Sequence, residues 1–350
     1  MYDMKKYGFM PDMLPANAAG IPARVTAVHR ERFELVCEHG EIYGRLKASE
    51  YYDREGATFP TAGDFVLIDY NPAGDSRILA TLPRKSFFSR RDPTPGRGEQ
   101  AVAANFEYVF ILQSLNHDLN IRRLERYLTQ AWQSGAMPVV VLTKLDLAED
   151  PQTSVRQIEE AAVGVDVYAV SAKTGEGLEL LDDYLKPGKT LVFLGSSGVG
   201  KSSLVNALAG EELMVTGEIR EDDSKGRHTT THRQLICLKN GVMIIDTPGM
   251  RELGMWDVSE GLGETFSDVE ALTHMCRFAD CRHEHEPGCA VRAALEEGTL
   301  SPERWRSYQG LRSEARYVDD PESYRRKKRE RNKTIAQNSR RMKKEGKIRK

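Results

Sequence analysis

Apolar and polar positions fall into three regimes along this chain. Between about Ile21 and Pro83 the apolar residues come in short β-type runs, at 23–28, 32–36 and 64–69. Turn signals at His39-Gly40, Pro60 and Asn71-Pro72-Ala73-Gly74 separate them. This pattern predicts a small β-barrel over residues 21–85, and an oligonucleotide-binding fold is one candidate. From about Ala101 the pattern changes. Apolar strands are predicted at 106–112, 138–142, 165–170, 190–194 and 242–245, with helical spacing between them, as at Ile121, Leu124, Leu128 and Ala131. Alternation of strands and helices predicts a mostly parallel, doubly wound sheet over residues 86–255. After about Trp256 the chain becomes helical and carries a cysteine and histidine insert, giving a third unit over 256–320. Residues 1–20 read as a loose N-terminal arm, Arg90 to Gly98 as a linker, and 321–350 as a basic tail.

Each run of chemistry in the middle unit begins where a predicted strand ends, the position at which open α/β sheets bind ligands. Thr143-Lys144-Leu145-Asp146 follows one strand and Ser171-Ala172-Lys173 the next. Gly195-Ser196-Ser197-Gly198-Val199-Gly200-Lys201-Ser202 follows a third and opens a helix. Asp246-Thr247-Pro248-Gly249 follows a fourth. The third run is a full phosphate-loop pattern. Its backbone amides, with the first turn of the helix through Ser203, can cradle phosphate oxygens. Lys201 reaches the β and γ phosphates, and Ser202 binds Mg²⁺. Helix N-terminal charge adds to the attraction.

Asp146 can accept from guanine N1–H and the 2-amino group. Adenine offers neither, and a site built this way can discriminate by roughly 10⁴-fold. Lys144 packs along the base plane. Thr143 stands where Asn is usual; its hydroxyl can still tie neighbouring loops together, which predicts weaker bracing with guanine specificity kept. Asp246 and Gly249 fit a sensor of Mg²⁺ and the γ-phosphate. Between phosphate loop and sensor lies Gly226-Arg227-His228-Thr229-Thr230-Thr231. A mobile switch with a Mg²⁺-binding Thr belongs there, and Thr230 is favoured among three. Met250 follows Gly249 and cannot orient a water, so intrinsic hydrolysis should be slow. His228 is the nearest polar candidate for a catalytic role, against a simpler reading as a loop or partner-contacting histidine. Two rival readings are a binding module whose docking is set by nucleotide state, with hydrolysis incidental, and a small-molecule kinase using ATP, which Asp146 opposes.

A second cluster, Cys276-x4-Cys281-x-His283-x5-Cys289, supplies three sulfurs and an imidazole. That donor set suits a closed structural zinc site, and metal can replace a core that so short and polar a segment lacks. Spacing alone leaves His274 and His285 as alternatives to His283. Cys37 and Cys237 lie in strand-like runs and read as packing residues.

The chain has 350 residues and a net charge of −2. That near-neutrality hides a split. The segment from Arg325 to Lys350 carries 14 Lys or Arg and 2 Glu, and the remainder carries 36 basic and 50 acidic residues. Such a run is either a solvated face or a nucleic-acid tail that binds phosphates and releases counterions. Five cysteines are too few and too unevenly placed for a secreted disulfide framework. No apolar run approaches the roughly 20 residues that span a bilayer, and no secretory signal is evident. A cytoplasmic protein is expected.

The motifs run guanine, Ser-Ala-Lys, phosphate loop, Asp-x-x-Gly, which is the usual GTPase order rotated along the chain. The permuted order, Gly-Arg-His-Thr-Thr-Thr and the Cys3His spacing together resemble the ribosome small-subunit-dependent GTPase A family, also called RsgA or YjeQ. The likeness runs from about Ala23 into the tail. It implies an N-terminal oligonucleotide-binding barrel, a circularly permuted α/β phosphate-loop GTPase domain and a C-terminal helical zinc domain with His283 as a ligand. It also implies a GTP hydrolase that acts late in small (30S) ribosomal subunit maturation, binds rRNA and is stimulated by the subunit. Expected ligands are GTP or GDP with Mg²⁺ and one structural Zn²⁺. A monomer without membrane attachment is expected.

Overall fold

The computed structural model describes residues 2–16, 18–29, 32–51, 58–91, 99–116, 119–214, 234–246 and 259–319. The switch expectations at His228, Thr230, Gly249 and Met250, and the basic tail, lie outside them.

The first unit is a closed five-stranded barrel. Its strands are β1 (Ile21–Val28), β2 (Phe33–Cys37), β3 (Gly40–Leu46), β4 (Phe65–Asp69) and β5 (Ser76–Thr81), with the short helix α1 (Ala48–Tyr51) between β3 and β4. The spatial order is β1-β2-β3-β5-β4, and β4 returns to pair with β1. Only β3 and β5 run parallel. Ala23, Val25, Leu35, Cys37, Val66, Ile68 and Ile78 fill the interior, as alternation along each strand requires.

The N-terminal arm is not loose. Two 3₁₀ turns, Met4–Tyr7 and Pro11–Met13, place Met4 and Phe9 against Phe65, Leu67 and Leu82 on the barrel's outer side. With Met13, Leu14 and Ala18 packed beside them and backbone bonds to Glu38 and Arg24, they anchor a segment that its Pro and Gly content made look unstructured. Arg90 and Arg91 also depart from expectation. They belong to strand β6 (Phe87–Arg91), which pairs with β7 (Glu99–Ala104) as a separate hairpin.

The GTPase-type sheet follows. Its elements are β8 (Tyr108–Ser114), α2 (Ile121–Gln133), β9 (Met137–Thr143), α3 (Pro151–Ala161), β10 (Val167–Ala169), β11 (Thr190–Gly195), α4 (Lys201–Ala209), β12 (Gln234–Cys237) and β13 (Met243–Asp246). The order is β10-β9-β8-β11-β13-β12. The first five are parallel, and β12 runs antiparallel to β13. Caps fix where the helices start. The Asn120 side chain accepts from Arg123 N at 3.0 Å, and Asp150 accepts from Thr153 N at 3.1 Å with Pro151 in the first turn.

Barrel and sheet are continuous. Ala27 of β1 pairs with Gln234 of β12, so eleven strands form one sheet. Arg24 of β1 is 1% exposed because this junction covers it. It donates to the carbonyls of Tyr7 (2.5 Å), Asn105 (2.8 Å) and Gly63 (3.3 Å) and to Thr190 Oγ1 (2.9 Å). Cys37 is a packing residue, whereas Cys237, on the short strand β12, is exposed. Lying on a strand did not bury it, because its side chain is outside the core clusters.

The last described unit is helical: α5 (Ser259–Thr265), α6 (Ser267–His274), α7 (Ala290–Glu297) and α8 (Pro302–Asp319). Leu262, Phe266, Val269, Val291, Leu300 and Tyr308 make its core. Helix α5 lies on α2 so closely that a Cβ on Gly261 would sit 2.1 Å from the Thr129 carbonyl. Beside this contact Arg304 bridges the two units. It donates to Glu125 Oε1 (3.0 Å), Asp268 Oδ1 (2.8 Å), and the carbonyls of Ala161 (3.0 Å) and Thr265 (2.8 Å).

Candidate nucleotide site and metal cluster

Because β8, β9, β10, β11 and β13 are parallel, their C-terminal ends share one edge of the sheet. That edge gathers Thr143, the loop starting at Ser171, the loop starting at Gly195, and Asp246. The phosphate loop takes its shape from glycines with positive φ, Gly198 at 71° and Gly200 at 100°. Side chains other than glycine rarely adopt this conformation. Val199 between them is buried and packs with Leu112, Leu204 and Val205, which holds the loop against the sheet while Ser197 and Gly198 face outward. Lys201 Nζ lies 2.7 Å from Asp246 Oδ1. The phosphate-loop cation and the sensor carboxylate therefore meet across the mouth of the loop. Ser202 and Ser203 follow in the first turn of α4.

Thr143 ties neighbouring loops together, as a threonine hydroxyl there can. Its hydroxyl donates to the Val199 carbonyl at 2.5 Å and lies 3.3 Å from the Gln113 carbonyl. The loop starting at Thr143 is thus joined directly to the glycine-rich loop. A Cβ at Gly200 would make only ordinary contact with Thr143, 3.6 Å from its Oγ1, so it is the φ of 100°, not lack of space, that favours glycine there. Lys144 adopts a left-handed backbone (φ 61°) and starts the 3₁₀ turn Leu145–Leu147. That turn presents Asp146, whose Oδ1 accepts from Ser171 Oγ at 2.7 Å. Ser171 Oγ accepts in turn from Thr174 N at 3.2 Å. The serine of the Ser-Ala-Lys run therefore orients the carboxylate, with Ala172 and Lys173 beginning the outer turn.

Gln113 escaped the sequence reading. It is fully buried, and its side-chain amide bonds the backbone of Asn120 both ways, accepting from its N–H at 3.0 Å and donating to its carbonyl at 3.3 Å. It pins the connection from β8 to α2 beside the phosphate loop. One amide in the apolar run Phe110-Ile111-Leu112-Gln113 was the available signal.

At the other cluster, single ligand atoms of Cys276, Cys281, His283 and Cys289 lie within 4.8 Å of one another. The Cys276–Cys289 sulfurs are 3.9 Å apart, and His283 Nδ1 lies 3.5 Å and 3.4 Å from them. A tetrahedral zinc with bonds of about 2.3 Å to sulfur places such atoms roughly 3.8 Å apart, so the donors fit that ion. Three sulfurs and one imidazole would leave no open coordination position on such an ion, the arrangement of a structural rather than a catalytic site. The grouping selects His283 over His274 and His285. Its ring meets Trp305 edge-on at 5.4 Å, and Cys289 Sγ also caps α7 by accepting from Arg292 N.

The family model described as RsgA GTPase matches residues 81–256. A relative from Listeria monocytogenes, the small ribosomal subunit biogenesis GTPase RsgA 1, is 51% identical over 294 residues, covering 84% of this chain and 83% of its own. This chain belongs to the RsgA GTPase family. Among solved structures, YjeQ from Thermotoga maritima aligns over 83% of this chain and 96% of its own, with a TM-score of 0.63 and 28% identity. YloQ, described as a circularly permuted GTPase, covers 88% of this chain and 98% of its own at a TM-score of 0.59 and 23% identity, a likeness of fold alone. Membership makes the chain a GTP-hydrolysing enzyme of permuted topology. Among the described residues, no helix is long and apolar enough to cross a membrane.

Proposed function

We propose that this RsgA-family chain is a late assembly factor of the small (30S) ribosomal subunit, working in the cytoplasm as a monomer. GTP binding sets its hold on rRNA, and the subunit stimulates hydrolysis. One observation carries the nucleotide half of this reading: the parallel strands bring Asp146, oriented by Ser171, to the same edge as the Lys201–Asp246 pair. The ribosomal half rests on the printed function of the relative at 51% identity.

In this reading Asp146 and Lys144 select guanine, with Thr143, Leu145, Ser171, Ala172 and Lys173 forming the base pocket. Amides from Gly195 through Ser203 take the phosphates, and Lys201 exchanges Asp246 for the β and γ oxygens. Ser202 and Thr230 would hold Mg²⁺, which supplies positive charge to the phosphates. Gly249 reports the γ-phosphate, and His228 is the candidate to assist hydrolysis where Met250 cannot. Zinc at Cys276, Cys281, His283 and Cys289 keeps the C-terminal unit folded. Residues 1–20, 21–85, 86–255, 256–320 and 321–350 serve as arm, barrel, GTPase domain, zinc domain and tail. The direct test is GTP turnover with and without purified small subunits at low salt. A large stimulation is expected, and its absence would sink the ribosomal half.

A further inference from the structure

The loop that holds the metal ligands carries two large apolar side chains that the core does not use. Met275 is 71% exposed and Phe278 is 41% exposed. They are close in sequence on a loop that is firmly held. Cys276 and Cys281 are metal-ligand candidates on either side of Phe278. Arg277 N donates to the Gly288 carbonyl, and Cys281 N donates to the Phe278 carbonyl, at 3.1 and 3.2 Å. The Arg277 stem lies across Gly288, 3.1 Å from where a Cβ would be. Its guanidinium sits 5.6 Å from the centre of the Phe278 ring. An aromatic ring is thus displayed on a braced knuckle with a cation beside it.

We propose that Phe278, flanked by Arg277 and Met275, is a stacking platform for an unpaired base of RNA. The proposal deepens the functional reading above and rests on it. Three features favour RNA over a protein partner. A ring with an adjacent guanidinium is the usual means of holding a base through its π-face and the neighbouring phosphate. The knuckle is small, whereas a stable protein interface needs about 800 Å² from each partner. The third is the pair Arg277 and Arg282, which can meet phosphate on a loop they share with Asp280, Glu284 and Glu286.

The test compares full-length wild type with Phe278→Ala and Phe278→Trp for binding to purified small ribosomal subunits with a non-hydrolysable GTP analogue. Zinc content and intrinsic GTP turnover report that each variant is folded. Loss of one stacked base should weaken binding roughly ten-fold in Phe278→Ala, and Phe278→Trp should restore it. A photo-crosslinking phenylalanine analogue at position 278 should mark rRNA. Unchanged binding by a folded Phe278→Ala variant, or crosslinks to ribosomal protein alone, would overturn the platform. Wild type that fails to bind subunits would overturn the functional reading beneath it, a separable result.

Discussion

Replacing Thr143 by valine removes one hydroxyl from the densest contact between the guanine and phosphate loops. The Val199 carbonyl loses its 2.5 Å donor in a buried place, at a cost of about 1–3 kcal/mol. GTP and GDP should therefore bind more weakly by similar factors, and Thr143→Ser should recover most of the affinity. Titration with a fluorescent guanine nucleotide measures both; a loss confined to GTP would contradict the bracing role. Asp146→Asn probes the other half of the loop. An amide presents a donor where guanine also donates, so guanine affinity should fall at least a hundred-fold on the discrimination argument, with the Ser171 contact kept on the remaining oxygen. The residues at this edge were legible because local order identifies them: strand, then Thr-Lys-Leu-Asp, or strand, then the glycine loop. Thr143's partner was not legible. Val199 is 56 positions away, and only the sheet order reveals that the two loops touch.

At the scale of elements, the metal loop is the segment whose structure depends most on a ligand. Residues 275–288 contribute few apolar groups, and His283 holds a positive φ of 61°, which a residue with a Cβ adopts at a cost of roughly 1–2 kcal/mol. Zinc bound at the cluster would offset that cost. Chelation should release the loop, and Trp305, packed against the His283 ring, should report it. In a chain with Trp132→Phe and Trp256→Phe, a strong chelator should shift Trp305 emission to longer wavelength and leave nucleotide affinity nearly unchanged. Emission that stays fixed after zinc is lost would mean that packing alone holds the loop. Cysteine spacing revealed this element, but choosing His283 required the backbone turn. The arm shows the reverse case. Its Pro and Gly residues pointed to looseness, and apolar side chains led by Met4 and Phe9 hold it through a contact with β4 that no local pattern encodes.

For the whole molecule, two buried arginines join units that the sequence presented as separate. Arg304 is the more exacting. It satisfies Glu125, Asp268 and two carbonyls from four elements, and Ser307 donates to the second Glu125 oxygen. Arg304→Ala would leave Glu125 buried without its cation, which typically costs about 3–5 kcal/mol. Thermal unfolding should move down by many degrees or split into two transitions, while a surface control such as Arg306→Ala changes little. Nothing in the sequence around Arg304 marks it, since its partners lie on α2, α3 and the α5–α6 junction. Arg24 and the Ala27–Gln234 pairing do the same work at the other end. The ribosome that makes this chain completes the barrel before β12 emerges, since domains fold N-terminal first during synthesis. The barrel is then a waiting template for a strand that would otherwise be a bare edge, open to pairing with other chains. A chain beginning at residue 86 should therefore scatter light on refolding at concentrations where the whole chain stays clear. On this view the oldest-made part of each molecule acts as the nursemaid of a strand made much later.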